Sequence, residues 1–209
     1  MNRKGRKLSA AELKRKDAYE RLCMEMAKAG YKKRDLTVGV LAANTVSLLL
    51  SLPFAAALAL IYFLVNPKGG FDIGLGWCLA FLPVFFLLAA IHELIHGLTW
   101  SRFCSKGFDS IAFGVIWSAL TPYCTCSEPL RRGQYILGGA MPTLILGFGL
   151  AAISIVLAQP FLMLLAVTMV LAGGGDLLII AKILCYRPKC RDTLYYDHPY
   201  ECGLVAFEK

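Results

Sequence analysis

Residues 81–97 read FLPVFFLLAAIHELIHG, an apolar run that ends in two histidines. His92 and His96 are four residues apart, so on a helix both imidazoles lie on one face and can bind one metal ion, with Glu93 beside them. Ionisable side chains inside an apolar run are costly unless they are paired or metal-bound, which makes them functional candidates. In a soluble helix the pattern could arise by chance, whereas a membrane span disfavours polar residues.

The 209-residue chain has a mean hydropathy of +0.60, and 57% of its residues are hydrophobic. This composition is too apolar for a soluble domain of this length and predicts an integral membrane protein, with one domain as the default. The eight cysteines are interpreted as free thiols, because most are expected on the reducing, cytoplasmic side. A thiolate metal site built from Cys124, Cys126 and either Cys104 or Cys190 is an alternative, although the spacing is not that of a Cys-x-x-Cys pair.

The formal charge of +8 is concentrated at the start of the chain, where the first 37 residues hold 12 Lys/Arg and five acidic residues. A basic segment before the first apolar span predicts a cytoplasmic N-terminus under the positive-inside rule. Nucleic-acid binding is disfavoured, since no aromatic-rich or helix-turn-helix pattern accompanies the basic residues. No cleavable signal peptide is expected, because the first apolar run is too long for one. Residues 8–30 predict a short amphipathic helix on the cytoplasmic surface.

Hydropathy and turn residues predict four transmembrane spans, at residues 37–65, 75–100, 134–158 and 161–184. Residues 111–123 are only moderately apolar and too short to cross a bilayer, which predicts a re-entrant β-hairpin or loop beside the metal helix. A half-buried surface loop is the alternative. The predicted fold class is a membrane all-α protein with about four transmembrane helices, this small β-hairpin or loop, and the N-terminal amphipathic helix.

Two features of the later spans are unusual for a regular helix. In the third span, Pro142 leaves one backbone carbonyl without its helical donor. In the fourth span, Asp176 follows three glycines, each costing about 1 kcal/mol relative to Ala in a helix, which indicates close approach of another element. At about 1.5 Å per residue, His92 lies roughly 26 Å along its span and Asp176 roughly 24 Å along its own. The two spans run in the same direction, so both residues are expected in the cytoplasmic half.

A catalytic zinc takes three protein ligands and keeps a fourth position for water. His92 and His96 supply two ligands, and Asp176 is predicted to be the third. Glu93 is predicted to be catalytic, as the base that takes the proton of the attacking water and returns it to the leaving amine. Competitors for the third position lie in loops or the tail: Asp109, Glu128, Asp197 and His198.

Two further questions stay open in the sequence. Asp176 could instead be a hydrogen-bond partner for Asn44 or Thr143. Four hydroxyls could line a water channel or stabilise the oxyanion, and they are those of Thr121, Tyr123, Tyr135 and Thr143.

A resemblance rests on motifs in a fixed order: HELIHG, TPYC followed by Glu-Pro-Leu, GG-x-MP, GGGD, and the tail motif DHPYECG that begins at Asp197. In this order they resemble the zincin peptidases of bacterial membranes, a domain family of unknown function, over about residues 75–205. The resemblance implies a zinc-dependent peptidase. The layout is more distantly similar to the site-2 intramembrane metalloproteases, but the chain lacks their Asn-Pro-Asp-Gly type motif, so Asp176 is assigned by position and chemistry.

The sequence therefore predicts a membrane-embedded zinc metallopeptidase that hydrolyses peptide bonds at or within the cytoplasmic half of the cell membrane. The expected domains are a basic cytoplasmic segment (1–36), a transmembrane metallopeptidase-like domain (37–185) and a cytoplasmic tail (186–209). The expected partners are Zn²⁺, a peptide or membrane-protein substrate and the lipid bilayer, with no nucleic acid and an oligomeric state that the sequence does not set. The alternative is a non-catalytic adaptor or chaperone with a structural or vestigial metal site, and Glu93 argues against it, since a structural site needs no base. Transport is disfavoured because paired discontinuous helices are absent from the pattern.

Overall fold

The computed structural model describes residues 10–67, 74–116, 121–190, 192–199 and 201–209. Several predicted features fall partly outside these residues, among them the basic segment at 1–36, the amphipathic helix at 8–30, the turn at 66–70 and the predicted hairpin or loop at 111–123.

Helices dominate the described residues. They are α1 (Ala10–Lys28), α2 (Val40–Val65), α3 (Leu75–Ser101), α4 (Arg132–Pro142), α5 (Leu150–Leu157), α6 (Pro160–Ala172) and α7 (Gly174–Cys185). A π-helical segment, Thr143–Gly149, joins α4 to α5 into one span, Arg132–Leu157. Three helices are thus long and apolar enough to cross a membrane, and α6 with α7 makes a fourth if the bent pair is one span. This agrees with a membrane protein.

The fourth predicted span is broken rather than continuous. α6 ends at Ala172, α7 begins at Gly174, and the two helices are bent by 44°. The glycine run therefore marks a break between two helices. The sequence predicts a single continuous helix here, weakened by its glycines. Asp176 falls in the first turn of α7, where the helix dipole favours a carboxylate.

Six strands accompany the helices within the described residues: β1 (Lys32–Asp35), β2 (Ile111–Ile116), β3 (Thr121–Cys126), β4 (Leu130–Arg131), β5 (Thr193–Asp197) and β6 (Leu204–Glu208). β2 and β3 form an antiparallel pair in which Ile111 lies opposite Cys126, so the segment predicted as a hairpin or loop is a hairpin. It packs on α3 at Gly97, where an added Cβ would lie 2.6 Å from the Phe113 ring. The hairpin therefore contacts the metal helix one residue beyond His96.

A four-stranded antiparallel sheet, in the order β1-β6-β5-β4, was not predicted from the sequence. The all-α class is too narrow for this reason. The sheet has its own core, with Tyr195, Leu204 and Phe207 all at most 1% exposed. α1 covers part of it, since Tyr19 stacks on Tyr196 with ring centroids 5.9 Å apart. The apolar side of the predicted amphipathic helix therefore contacts this sheet.

Candidate metal centre

Three of the predicted site residues come together where α3 faces the start of α7. His92 Nε2 lies 3.0 Å from Asp176 Oδ2 and 3.2 Å from His96 Nε2, and His96 Nε2 lies 3.4 Å from Asp176 Oδ1. Both histidines are buried. The three residues are thus brought together from segments 84 positions apart in the chain.

These distances suit a single tetrahedral ion. Ligand atoms bound at about 2.0–2.2 Å in tetrahedral geometry are roughly 3.3–3.6 Å from one another, slightly more than the 3.0–3.4 Å separations of these atoms. The two imidazole Nε2 atoms and a carboxylate oxygen also form a donor set that zinc prefers. With both rings protonated on Nδ1, the two Nε2 lone pairs face each other beside a carboxylate, an arrangement that a cation satisfies. The residues therefore fit the metal that the sequence predicts.

The orientation of His96 is fixed by the third span. His96 Nδ1 donates to Gly138 O at 2.8 Å, which leaves the lone pair of a neutral ring on Nε2, toward Asp176. In a regular helix the amide of residue 142 would donate to the carbonyl of residue 138, but Pro142 has no amide proton. The carbonyl freed by Pro142 is thus the one that His96 uses.

His92 has no comparable partner for its second nitrogen. His92 Nδ1 and Thr143 Oγ1 are both buried, and neither has a hydrogen-bond partner among the described residues. Both side chains border Gly173, where an added Cβ would lie 2.5 Å from Thr143 Oγ1 and 3.6 Å from His92 Cε1. Thr143 therefore lies beside His92, at the point where the regular helix gives way to the π-helical segment.

A cavity of about 230 Å³ opens beside these ligands. Glu93, His96 and Asp176 line it from the helices, and Tyr135 and Asp197 line it from α4 and β5. The volume is room for several water molecules. Glu93 also lines a second, more apolar groove of about 400 Å³ between α3 and the hairpin. The predicted base therefore borders both a polar cavity and an apolar groove.

Strand β3 holds two carboxylates at this cavity through its backbone. The Cys124 amide donates to Glu93 and the Cys126 amide donates to Asp197. Tyr135 OH also donates to Asp197 Oδ1. Burial raises the pKa of the Asp197 carboxyl above its ordinary value. Asp197, which the sequence offered only as a competitor in the tail, thus faces the same cavity as Glu93.

The remaining competitors for the third ligand position lie away from the two histidines. Glu128 accepts hydrogen bonds from the Ser105 and Lys106 amides and from Ser110 OH. Against the effect of its partial burial, these donors lower the Glu128 pKa to about 2, as expected of a carboxylate that closes a loop. Asp109 is exposed, and His198 lies against Tyr19 with ring centroids 5.4 Å apart.

Asn44 is exposed on α2, and no hydrogen bond joins it to Asp176 in the described part of the chain. Of the four candidate hydroxyls, Tyr123 and Tyr135 line the cavity, and that of Tyr135 is engaged by Asp197. The side chain of Thr121 lies outside the described residues.

The cysteines do not assemble a second metal group within the described residues. Cys104 Sγ and Cys126 Sγ are 3.2 Å apart, but the two groups of at least three possible ligand atoms contain no cysteine. Burial raises the pKa of the Cys126 thiol well above its ordinary value, which favours the protonated form. The second group, Asp35, His198 and Glu201, lies mostly exposed at the sheet.

A family model described as "Putative zincin peptidase" matches residues 85–191, just over half of the 209-residue chain. The matched segment contains His92, Glu93, His96 and Asp176. None of the curated proteins and none of the solved structures matches the chain.

Proposed function

The chain belongs to the zincin-peptidase family, and on that premise we propose that it is a membrane-embedded zinc metallopeptidase. The proposed reaction is hydrolysis of a peptide bond at or within the cytoplasmic half of the membrane. The observation that carries the proposal is the approach of two Nε2 atoms and the Asp176 carboxylate to within 3.0–3.4 Å of one another, with Glu93 beside the same cavity.

In this proposal His92, His96 and Asp176 hold the zinc, and Glu93 stays free of it. A bound zinc would supply Lewis acidity, polarising the scissile carbonyl and lowering the pKa of water. Glu93 would accept the proton of the attacking water and deliver it to the leaving amine. The Cys124 amide supports this role because it orients the carboxylate toward the cavity.

The apolar groove supports a substrate of membrane origin. Ala90, Leu94, Phe113 and Val115 line it, and it reaches Glu93, which also lines the polar cavity. A stretch of transmembrane peptide could lie there only after its helix unwinds, because the base must reach the backbone of the scissile bond. The strand-forming segment at 111–123 can pair with an unwound backbone by strand addition at an edge of the hairpin. We therefore propose a cut near the cytoplasmic end of a substrate helix, at a helix-weakening residue.

The test is Glu93→Gln, which keeps the size and hydrogen-bonding capacity of the side chain but removes the basic carboxylate. Zinc content and thermal stability are expected to stay near those of the wild type. Turnover is expected to fall by a factor on the order of 10² to 10⁴, the usual range for losing a positioned proton-transfer group. The measurement compares membrane proteomes of cells that carry wild-type or Glu93→Gln protein and looks for a polypeptide that accumulates uncut in the variant.

A deletion strain separates the enzyme from the adaptor. If Glu93→Gln cells match the wild type while the deletion has a phenotype, the protein works without hydrolysis, and the adaptor interpretation replaces this one.

A further inference from the structure

A second cavity, of about 580 Å³, shares no lining residue with the metal centre's cavity and is unrelated to the chemistry proposed above. It is bounded by the start of α4 and by the segment that follows α7. Arg131 and Arg132 line it from the first side, and Lys189 lines it from the second. Asp192 is the acidic residue of the described lining, so the formal charges of these four side chains leave an excess of two positive charges.

The positive charges are only partly offset, by Asp192 in the lining and by Glu208, which accepts a hydrogen bond from the Lys189 amide at 3.2 Å. Within the described residues, no ion pair joins Arg131, Arg132 or Lys189 to a carboxylate. Asp192 Oδ2 accepts a hydrogen bond from Tyr31 OH at 3.1 Å. Arg132 uses one nitrogen, Nη2, to donate to Leu184 O at 3.0 Å, and a guanidinium carries five donors in all. Donors therefore remain for an anion.

A buried tyrosine also belongs to the lining of this cavity. Tyr195 is 0% exposed, it lines this cavity, and its hydroxyl has no hydrogen-bond partner among the described residues. Buried polar groups in folded proteins are nearly always paired, so an unpaired one requires an explanation. A ligand atom in the cavity would be an acceptor for this hydroxyl.

The start of α4 adds backbone donors. Arg131 occupies the position before the helix, and its side chain has no acceptor with which to bind the amides of the first turn. Gly133, in that turn, also lines the cavity, and nothing lies within 4 Å of the position of an added Cβ. Gln134 Oε1 accepts a hydrogen bond from the Arg131 amide at 2.9 Å, and the first-turn amides with the positive end of the helix dipole favour a bound anion.

We propose that this cavity binds a phosphate group. Phosphate oxygens accept hydrogen bonds from groups of the kinds found here: two guanidinium groups, an ammonium, a buried hydroxyl and a helix start. Arg132 begins one membrane-spanning helix, and Lys189 follows the end of α7 by a few residues. The cavity therefore opens where two spans meet the aqueous phase, the depth of phospholipid headgroups. The phosphate is carried either by an anionic phospholipid or by a small soluble phosphate compound.

The experiment uses the full chain purified in detergent. In one arm, the protein is reconstituted into phosphatidylcholine nanodiscs that either contain or lack phosphatidylglycerol. Native mass spectrometry then measures how much phosphatidylglycerol each chain retains. The other arm measures the binding of inorganic phosphate and soluble glycerol phosphate by calorimetry. Retention of the lipid without binding of the soluble compounds identifies a headgroup site, and tight binding of the soluble compounds identifies a soluble ligand.

Three variants test the residues. Arg131→Gln combined with Lys189→Gln is expected to weaken binding at least about tenfold, as expected for loss of charged hydrogen bonds. Tyr195→Phe removes a hydroxyl that has no protein partner among the described residues, so it is expected to fold normally and still weaken binding several-fold. Arg102→Gln is the matched control, since Arg102 is an exposed cation at the end of α3 and does not line the cavity.

The proposal is overturned if the wild type retains no more phosphatidylglycerol than phosphatidylcholine and binds neither soluble compound. It is overturned equally if Arg102→Gln weakens binding as much as the double variant, because diffuse surface charge would then account for the binding.

Discussion

At the scale of single residues, the candidate metal centre depends on the Gly138 carbonyl, which lacks the regular hydrogen-bond donor of its own helix. Pro142 has no proton for Gly138 O, and His96 Nδ1 takes its place. Outer partners of this kind fix the tautomer of a metal-binding histidine, and losing one typically costs about 10- to 100-fold in metal affinity. The proline is thus part of the site although its own side chain binds nothing there.

Metal content tests the ligands one residue at a time. Purified wild-type protein is expected to hold about one zinc per chain, and His92→Ala, His96→Ala or Asp176→Ala should each reduce this to background. Asp197→Asn is the matched control, because Asp197 lines the same cavity but its carboxylate is held by Tyr135 and the Cys126 amide and is not in the group of three possible ligands. Elemental analysis of the purified proteins is the measurement. Stoichiometric zinc in Asp176→Ala together with loss in Asp197→Asn would assign the third position to the tail.

The sequence defines some of these residues better than others. The spacing of His92, Glu93 and His96 on one helix is sufficient to propose them, and equal depth in two parallel spans is sufficient to propose Asp176. Asp197 could not be placed in this way, because its position depends on the pairing of β5 with two other strands. The sequence contains only one indication of its role, the motif DHPYECG that begins at Asp197. The spacing of residues in that motif does not by itself predict a site.

At the scale of elements, the break between α6 and α7 positions Asp176 and lets α7 approach α2. An added Cβ on Gly174 would lie 2.7 Å from Ser47 O, a backbone atom that cannot move without its helix. Nothing lies within 4 Å of the corresponding position on Gly175. Gly174 therefore has no room for a side chain, whereas the adjacent Gly175 does.

Alanine substitution distinguishes the two glycines. Gly174→Ala is expected to destabilise the fold by about 1–3 kcal/mol through overpacking against α2 and to reduce zinc retention. Gly175→Ala has the same gain in helix propensity without the overlap, so it is expected to be neutral or slightly stabilising. Thermal unfolding and zinc content of both variants in one detergent provide the comparison. Equal melting temperatures would mean that α7 does not need its close contact with α2.

The elements differ in how visible they are in the sequence. Long apolar runs predict the helices. The four-stranded sheet could not be predicted, because β1 is Lys-Lys-Arg-Asp, with every residue exposed, and has no alternation of apolar and polar residues. Tyr195, Tyr196, Val205 and Phe207 carried the available signal, since aromatic and β-branched residues favour strands. Pairing across the whole chain cannot be read from such short segments.

At the scale of the whole molecule, the sheet constrains how the chain crosses the membrane. β1 precedes the first span, β4 lies between the second and third, and β5 and β6 follow the last. Strands that hydrogen-bond to one another lie on one side of a bilayer. The sheet therefore predicts an even number of crossings between these strands, with the bent pair α6–α7 as one crossing. The basic flanks predict that this side is the cytoplasm.

Thiol labelling tests the orientation. Cys23, Cys104 and Cys190 are expected to resist a membrane-impermeant maleimide in intact cells and to react after permeabilisation. Lys68→Cys, in the predicted far-side turn, is the positive control and should react in intact cells. Labelling of Cys190 in intact cells would place the sheet outside and reverse the orientation.

The separation of the partners along the chain determines when the centre can exist during synthesis. Gly138, the partner of His96, is synthesised 42 residues after it, and Asp176, the partner of His92, is synthesised 84 residues after it. At roughly 5–20 residues per second, the last interval is on the order of 4–17 s. Until Asp176 is synthesised, the two imidazoles lack the third residue of the group. If the group binds zinc as proposed, metal loading is expected late in biogenesis, after the final predicted span has been synthesised.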